Sequence, residues 1–125
     1  MYLLDTHALL WYLRDDRELP TSVRSRIDCA KYVAASMASF WEIAIKQSIG
    51  KLKLSLSIPE LETLCLSRDI PVLGIDSASV ERVKSLPPIH GDPFDRLLVA
   101  QALENDLTIL TRDRIIPQYP VPTCW

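Results

Sequence analysis

The sequence predicts an α/β sandwich around a mostly parallel sheet. Short apolar runs alternate with longer segments whose apolar residues recur at helical spacing, and polar or Pro-rich turns separate them. The chain has 125 residues, 48% of them apolar, enough for one domain spanning 1–125 that buries roughly two thirds of its unfolded surface. Strands alternating with helices pair in parallel and cover both sheet faces. Ligands of such sheets gather beyond the carboxyl ends of the strands.

The elements follow in order. Tyr2-Leu3-Leu4 is a buried strand that ends at Asp5, and Thr6-His7 opens the helical segment ALLWYLR, which stops in the polar turn at 14–18. Pro20-Thr21-Ser22 starts a second helix through Ile27, and Lys31 to Ala35 suits a second strand. From Met37 to about Ser48, Phe40, Trp41, Ile43, Ala44 and Ile45 share a helical face, and Gly50 supplies a stop. Lys51-Leu-Lys-Leu-Ser-Leu reads as an extended linker. Ile58 to Ser67 is a helix with Pro59 in its first turn. A third strand at Ile70 to Ile75 precedes a helix from Ser77 to Leu86. After Pro87-Pro88 come a helix from Asp92 to Glu104, a strand from Leu107 to Thr111 and a Pro-rich tail without an assigned element.

Composition narrows the function. No window is apolar enough to span a membrane and the first residues lack a secretory pattern, so a soluble, cytoplasmic protein is expected. Cys29, Cys65 and Cys124 are widely spaced and form neither a zinc pattern nor a disulfide framework. A net charge of −2 gives no basic footprint for nucleic acid. That argument fails where converging carboxylates hold divalent cations, because the metal reverses the local field.

Four acidic residues in four segments raise that possibility. Asp5 follows the first strand and is either the cap of the next helix or a ligand at the sheet edge. Asp113 follows the strand LTILT and is either a turn residue or a second group at that edge. Glu42 either pairs with Lys46 across one helical turn or sits beside a pocket among small and apolar neighbours. In the stretch HGDPFDRLLVAQA, Asp92 reads as the helix cap, with Pro93 at the first helical position, where its missing N–H costs nothing. Asp95 stands in the first turn, but Leu98, Val99 and Ala102 line its stripe, and a charge there needs a partner. An all-carboxylate set suits Mg²⁺ or Mn²⁺ and phosphoryl-transfer chemistry.

With these residues in place, the sequence resembles the PIN-domain ribonucleases, and more narrowly the VapC-like toxins of toxin–antitoxin pairs. The blocks LLDTHALLW, SFWEIAIKQSIGKLKL, PPIHGDPFDRLLVAQA and LTILTRD, with the terminal Trp125, carry the likeness along essentially the whole chain. The resemblance implies a three-layer α/β/α PIN fold that hydrolyses RNA with Mg²⁺ or Mn²⁺. It implies Asp5, Glu42, Asp95 and Asp113 as the catalytic, metal-holding quartet. Thr111 resembles the hydroxyl residue that often accompanies the last acidic position, and Asp92 the extra aspartate of the DPFD subgroup. Thr6 and Arg96 join them as supporting or substrate-binding residues, Arg96 through a carboxylate or a substrate phosphate. Gly91 departs from the Arg common before DPFD, which removes one phosphate contact.

The expected mechanism is in-line attack of a metal-activated water on an RNA phosphodiester, without a histidine base. His7 and His90 are read as structural or substrate-side residues. The resemblance also implies a cognate antitoxin and a homodimer, for which the apolar faces Ala8-Leu9-Leu10-Trp11 and Phe40-Trp41-Ile43-Ala44 offer indirect support, core packing being the more common use of such stripes. One alternative is a PIN fold kept as a protein-interaction module with weak or no nuclease activity. A signalling receiver domain fits less well, because it wants an acidic pair after the first strand and a Lys after the last, where this chain has Thr111-Arg112-Asp113.

Overall fold

The computed structural model describes residues 1–125. Five strands, β1 Tyr2–Leu4, β2 Val33–Ser36, β3 Val72–Leu73, β4 Thr108–Leu110 and β5 Thr123–Cys124, form one sheet in the order β3-β2-β1-β4-β5. Every pairing is parallel, with Leu3 opposite Ala34 on one side and Ile109 on the other. The helices are α1 Thr6–Leu13, α2 Thr21–Cys29, α3 Met37–Ser48, α4 Ile58–Ser67, α5 Ser77–Val83 and α6 Pro93–Glu104.

Strand side chains alternate between faces, and the core divides accordingly. Leu4, Ala35 and Leu110 pack with Leu9 of α1, Ile27 of α2, Phe40 and Ile43 of α3 and Leu61 of α4. Their neighbours Leu3, Ala34 and Ile109 pack on the other face with Leu98, Val99 and Ala102 of α6. The result is the three-layer α/β/α arrangement. Because both faces are covered, the central strands read as continuous apolar runs rather than as alternating ones.

Helix ends follow from local chemistry. Ser57 and Glu60 form a reciprocal capping box at α4. Gly50, at φ 74°, closes α3, with Gly50 N–H donating to Gln47 O and Lys51 N–H to Lys46 O. Asp15, Asp69 and Asp106 take the same left-handed position after α1, α4 and α6, a role the sequence does not advertise because glycine normally fills it.

Several expectations are corrected. The tail contains a short 3₁₀ turn at Ile116–Gln118 and the edge strand β5, both missed because Pro117, Pro120 and Pro122 punctuate the segment up to the two-residue strand. The third strand shrinks to Val72–Leu73, and the helix expected to reach Leu86 ends at Val83. Of the apolar faces read either as core or as contact surfaces, Ala8, Leu9, Leu10, Phe40 and Ile43 are core, while Trp41 is 57% exposed. No helix is long and apolar enough to cross a membrane.

Candidate active site

The parallel register places three strand ends side by side. Asp5 follows β1, Ser36 closes β2, and Thr111 follows β4, with Asp5 N–H donating to Leu110 O at 3.2 Å. Asp5 is both cap and site residue, so its two readings are not exclusive. One carboxylate oxygen accepts Ala8 N–H at 2.8 Å, and the other accepts the Thr111 hydroxyl. Only 7% of Asp5 is exposed, and burial pushes its carboxyl up, against the pull of these two hydrogen bonds.

Thr111 has a second task. Its hydroxyl oxygen accepts Asp113 N–H at 2.9 Å, which turns the chain so that Asp113 Oδ1 accepts Ile115 N–H and Ile116 N–H. One threonine thus ties the first acidic residue to the last.

From α3, Glu42 faces α1. Thr6 Oγ1 donates to Glu42 Oε1 at 2.6 Å, and Lys46 Nζ donates to Oε2 at 2.9 Å. The i,i+4 pair and the pocket-edge position therefore coexist. Thr6 Oγ1 also lies 2.9 Å from Ser39 Oγ, so both helices share the network.

Asp92 caps α6, accepting Phe94 N–H at 2.8 Å and Asp95 N–H at 3.4 Å. Farther along this helix, Gln101 accepts the buried Ser36 hydroxyl and donates to Gly74 O at 3.0 Å, which locks α6 against the carboxyl edge. Asp95 is thereby brought beside His90, whose Nε2 lies 3.0 Å from Asp95 Oδ2. Burial first, then the charges of Asp92 and Glu42, push the Asp95 carboxyl up to about 7, with His90 pulling the other way.

Asp5, Glu42, Asp92, Asp95 and Asp113 all line one cleft of about 200 Å³, together with Thr6, His7, Lys46 and His90. Candidate ligand atoms of His90, Asp95 and Asp113 lie within 4.8 Å of one another, while Asp5 and Glu42 line the cleft outside this closer grouping. Five carboxylates against one lysine leave the cleft strongly negative. Hard oxygen donors crowded in this way fit a divalent cation completed by water.

One site assignment changes. Arg96 turns away from the carboxylates: its guanidinium donates to Pro87 O at 2.8 Å, Val83 O at 3.1 Å and the Tyr119 hydroxyl at 3.2 Å. A phosphate or carboxylate partner is thus replaced by the end of α5 and its following turn. His90, read from the sequence as structural or substrate-side, lines the cleft. Tyr119 connects the two, because its hydroxyl also accepts His90 N–H at 2.8 Å. The only hint in the sequence was the position of His90 two residues before the cap.

Comparison with known proteins bears on the family and the fold. The family profile described as PIN domain matches residues 2–122. Ribonuclease VapC22 of Mycobacterium tuberculosis is 29% identical over 128 residues, covering 98% of this chain and 97% of its own. Among solved structures, VapBC2 from Rickettsia felis, bound to a DNA fragment from its promoter, aligns with a TM-score of 0.73 at 14% identity, over 98% of this chain and 96% of that one. A toxin–antitoxin complex from Klebsiella pneumoniae aligns with a TM-score of 0.67 at 17% identity, over 100% and 97%.

Proposed function

The chain belongs to the PIN-domain family, and we propose that it is a metal-dependent ribonuclease acting as the toxin of a toxin–antitoxin pair. The observation that carries this reading is the convergence of Asp5, Glu42, Asp95 and Asp113, from four separate segments, on one cleft at the carboxyl edge of the sheet.

The residues divide the work. Asp5 is held by Ala8 and Thr111, Glu42 by Thr6 and Lys46, Asp95 by His90, and Asp113 by the amides of Ile115 and Ile116. Each carboxylate is oriented before substrate arrives, so little reorganisation is needed during reaction. Mg²⁺ or Mn²⁺ held by these groups would lower the pKa of a bound water and neutralise charge on the phosphodiester oxygens. The substrate is RNA, as the name of the Mycobacterium tuberculosis relative indicates for that protein.

A cognate antitoxin is the expected partner, because similar folds occur in structures described as toxin–antitoxin complexes. A homodimer is supported by the exposed apolar residues Trp41 and Ile45 on α3 and Ile49 just past its end.

The test is cleavage of a mixed RNA pool in Mg²⁺ or Mn²⁺ by the wild type, Asp5→Asn and Asp95→Asn. The wild type should cut, the variants should lose at least about 100-fold in rate, and chelator should abolish cutting. Undiminished variants, or cutting that survives chelator, would overturn the assignment. Absence of both RNA cleavage and Mn²⁺ binding would favour an interaction module instead.

A further inference from the structure

A second, smaller cleft of about 120 Å³ adjoins the acidic one, lined by Asp5, His7, Trp11, Arg112 and Asp113. Asp5, His7 and Asp113 belong to both clefts, so the two share a wall. We propose that His7, Trp11 and Arg112 form a nucleotide-binding subsite, which stacks one unpaired RNA base beside the phosphodiester to be cut. This inference rests on the ribonuclease reading of the neighbouring cleft.

The geometry is that of a stacking platform. His7 and Trp11 stand one turn apart on α1, with ring centroids 5.5 Å apart and planes inclined by 14°. Trp11 is braced by the edge of Trp125 at 6.1 Å and carries the Arg112 guanidinium 4.6 Å from its ring centroid. Exposure rises from the half-buried Trp11 to the exposed His7, so the imidazole is the open end of the stack. A flat base extends such a column whatever its identity, because every base offers a π-face.

Charge points the same way. The five carboxylates of the acidic cleft repel a phosphodiester, and Arg112, between Thr111 and Asp113 in the chain, is the cation of the smaller cleft that shares Asp5, His7 and Asp113 with it. Its present partner is Glu18, at 3.1 Å, with both side chains more than half exposed. Exposed pairs of this kind contribute little, so a nucleotide phosphate can replace Glu18 at small cost. Arginine stacked on an aromatic ring beside a base is a recurrent device for single-stranded nucleic acid. Packing of the helix alone would account for Trp11 against Trp125. It does not account for an exposed imidazole and an exposed guanidinium gathered on that indole at the mouth of the acidic cleft.

The experiment measures binding of a short, unstructured oligoribonucleotide in Mg²⁺ by fluorescence anisotropy, with Asp95→Asn as the background to prevent cutting. Abasic positions are then scanned through the oligomer. One abasic position should weaken binding about 5- to 20-fold, and His7→Ala and Arg112→Ala should each do the same to the intact oligomer. With His7→Ala present, that abasic position should cost nothing further, whereas His7→Phe should restore both affinity and the abasic penalty. The subsite is refuted if the alanine variants bind as tightly as the background, or if they weaken binding while the abasic penalty persists. If the wild type cuts RNA and these variants behave so, the subsite alone fails. If the wild type neither binds nor cuts RNA, the ribonuclease reading fails with it.

Discussion

His90 Nε2 lies 3.0 Å from Asp95 Oδ2, and Asp92 N–H donates to His90 Nδ1 at 3.3 Å. The backbone bond occupies the lone pair of Nδ1, so in the neutral ring Nε2 carries the hydrogen and points it at the carboxylate. The imidazole thus holds one oxygen of Asp95 and leaves the other to the cleft. Partners of this kind govern ligand orientation, and their loss typically costs about 10- to 100-fold in activity or metal affinity. His90→Ala should therefore lower cleavage and Mn²⁺ affinity together, within that range. His90→Gln, which offers an amide N–H near the same place, should recover part of both. Steady-state kinetics and calorimetric Mn²⁺ titration check this, and identical behaviour of the two variants would speak against a positioning role.

Asp95 also makes stability depend on pH. Its carboxyl is raised by burial and by Asp92 and Glu42 to about 7, above the ordinary value of 3.8. The unfolded chain releases that proton first, so the associated stability is complete below about pH 4 and is lost as pH rises through 7. In chelator, Asp95→Asn should melt higher than wild type at pH 8, and the difference should vanish towards pH 4. Each pKa unit corresponds to about 1.4 kcal/mol, and residual exposure of the side chain reduces the gain at pH 8 to about 1–3 kcal/mol. Thermal melts across that range measure it, and a constant difference would contradict the raised carboxyl.

The two functions of Asp92 separate by substitution. Asp92→Ala removes the cap on Phe94 and Asp95 and should cost about 0.5–2 kcal/mol in urea unfolding. Asp92→Asn keeps a capping oxygen and should stay near wild-type stability while removing one negative charge from the cleft. Its loss should also draw the Asp95 carboxyl downward, moving the pH dependence described above to lower pH.

Arg96 should behave as a scaffold residue. Its guanidinium bridges Val83, Pro87 and Tyr119, and Tyr119 in turn holds the His90 backbone. Arg96→Ala should cost about 1.5–3 kcal/mol, the range for hydrogen bonds to a charged group. Below its melting temperature it should lower kcat through His90 while leaving KM for RNA nearly unchanged. A large rise in KM with full stability would instead return Arg96 to the substrate.

Much of the fold was legible because its signals are local. The bounds of α3 and α4 follow from apolar spacing, Pro59 in the first turn and Gly50 at the stop, while the Ser36 and Ser57 caps were seen only in the structure. The cap at Asp92 followed from its place before Pro93. β5 was not legible, because its two residues become a strand only through Ile109 and Leu110 opposite them.

Sequence by itself determined the alternation of strands and helices, the helix cap at Asp92, and four carboxylates placed near strand ends or on an apolar helical stripe. Those properties depend on residues a few positions apart, whose spacing the chain carries in any context. Tertiary structure decided the order β3-β2-β1-β4-β5, the direction of Arg96, the entry of His90 into the cleft and the stacking of Arg112 on Trp11. These depend on groups distant along the chain that meet only when both sheet faces are packed. The hydrogen-bond and charge partners that fix such side chains do not exist until then.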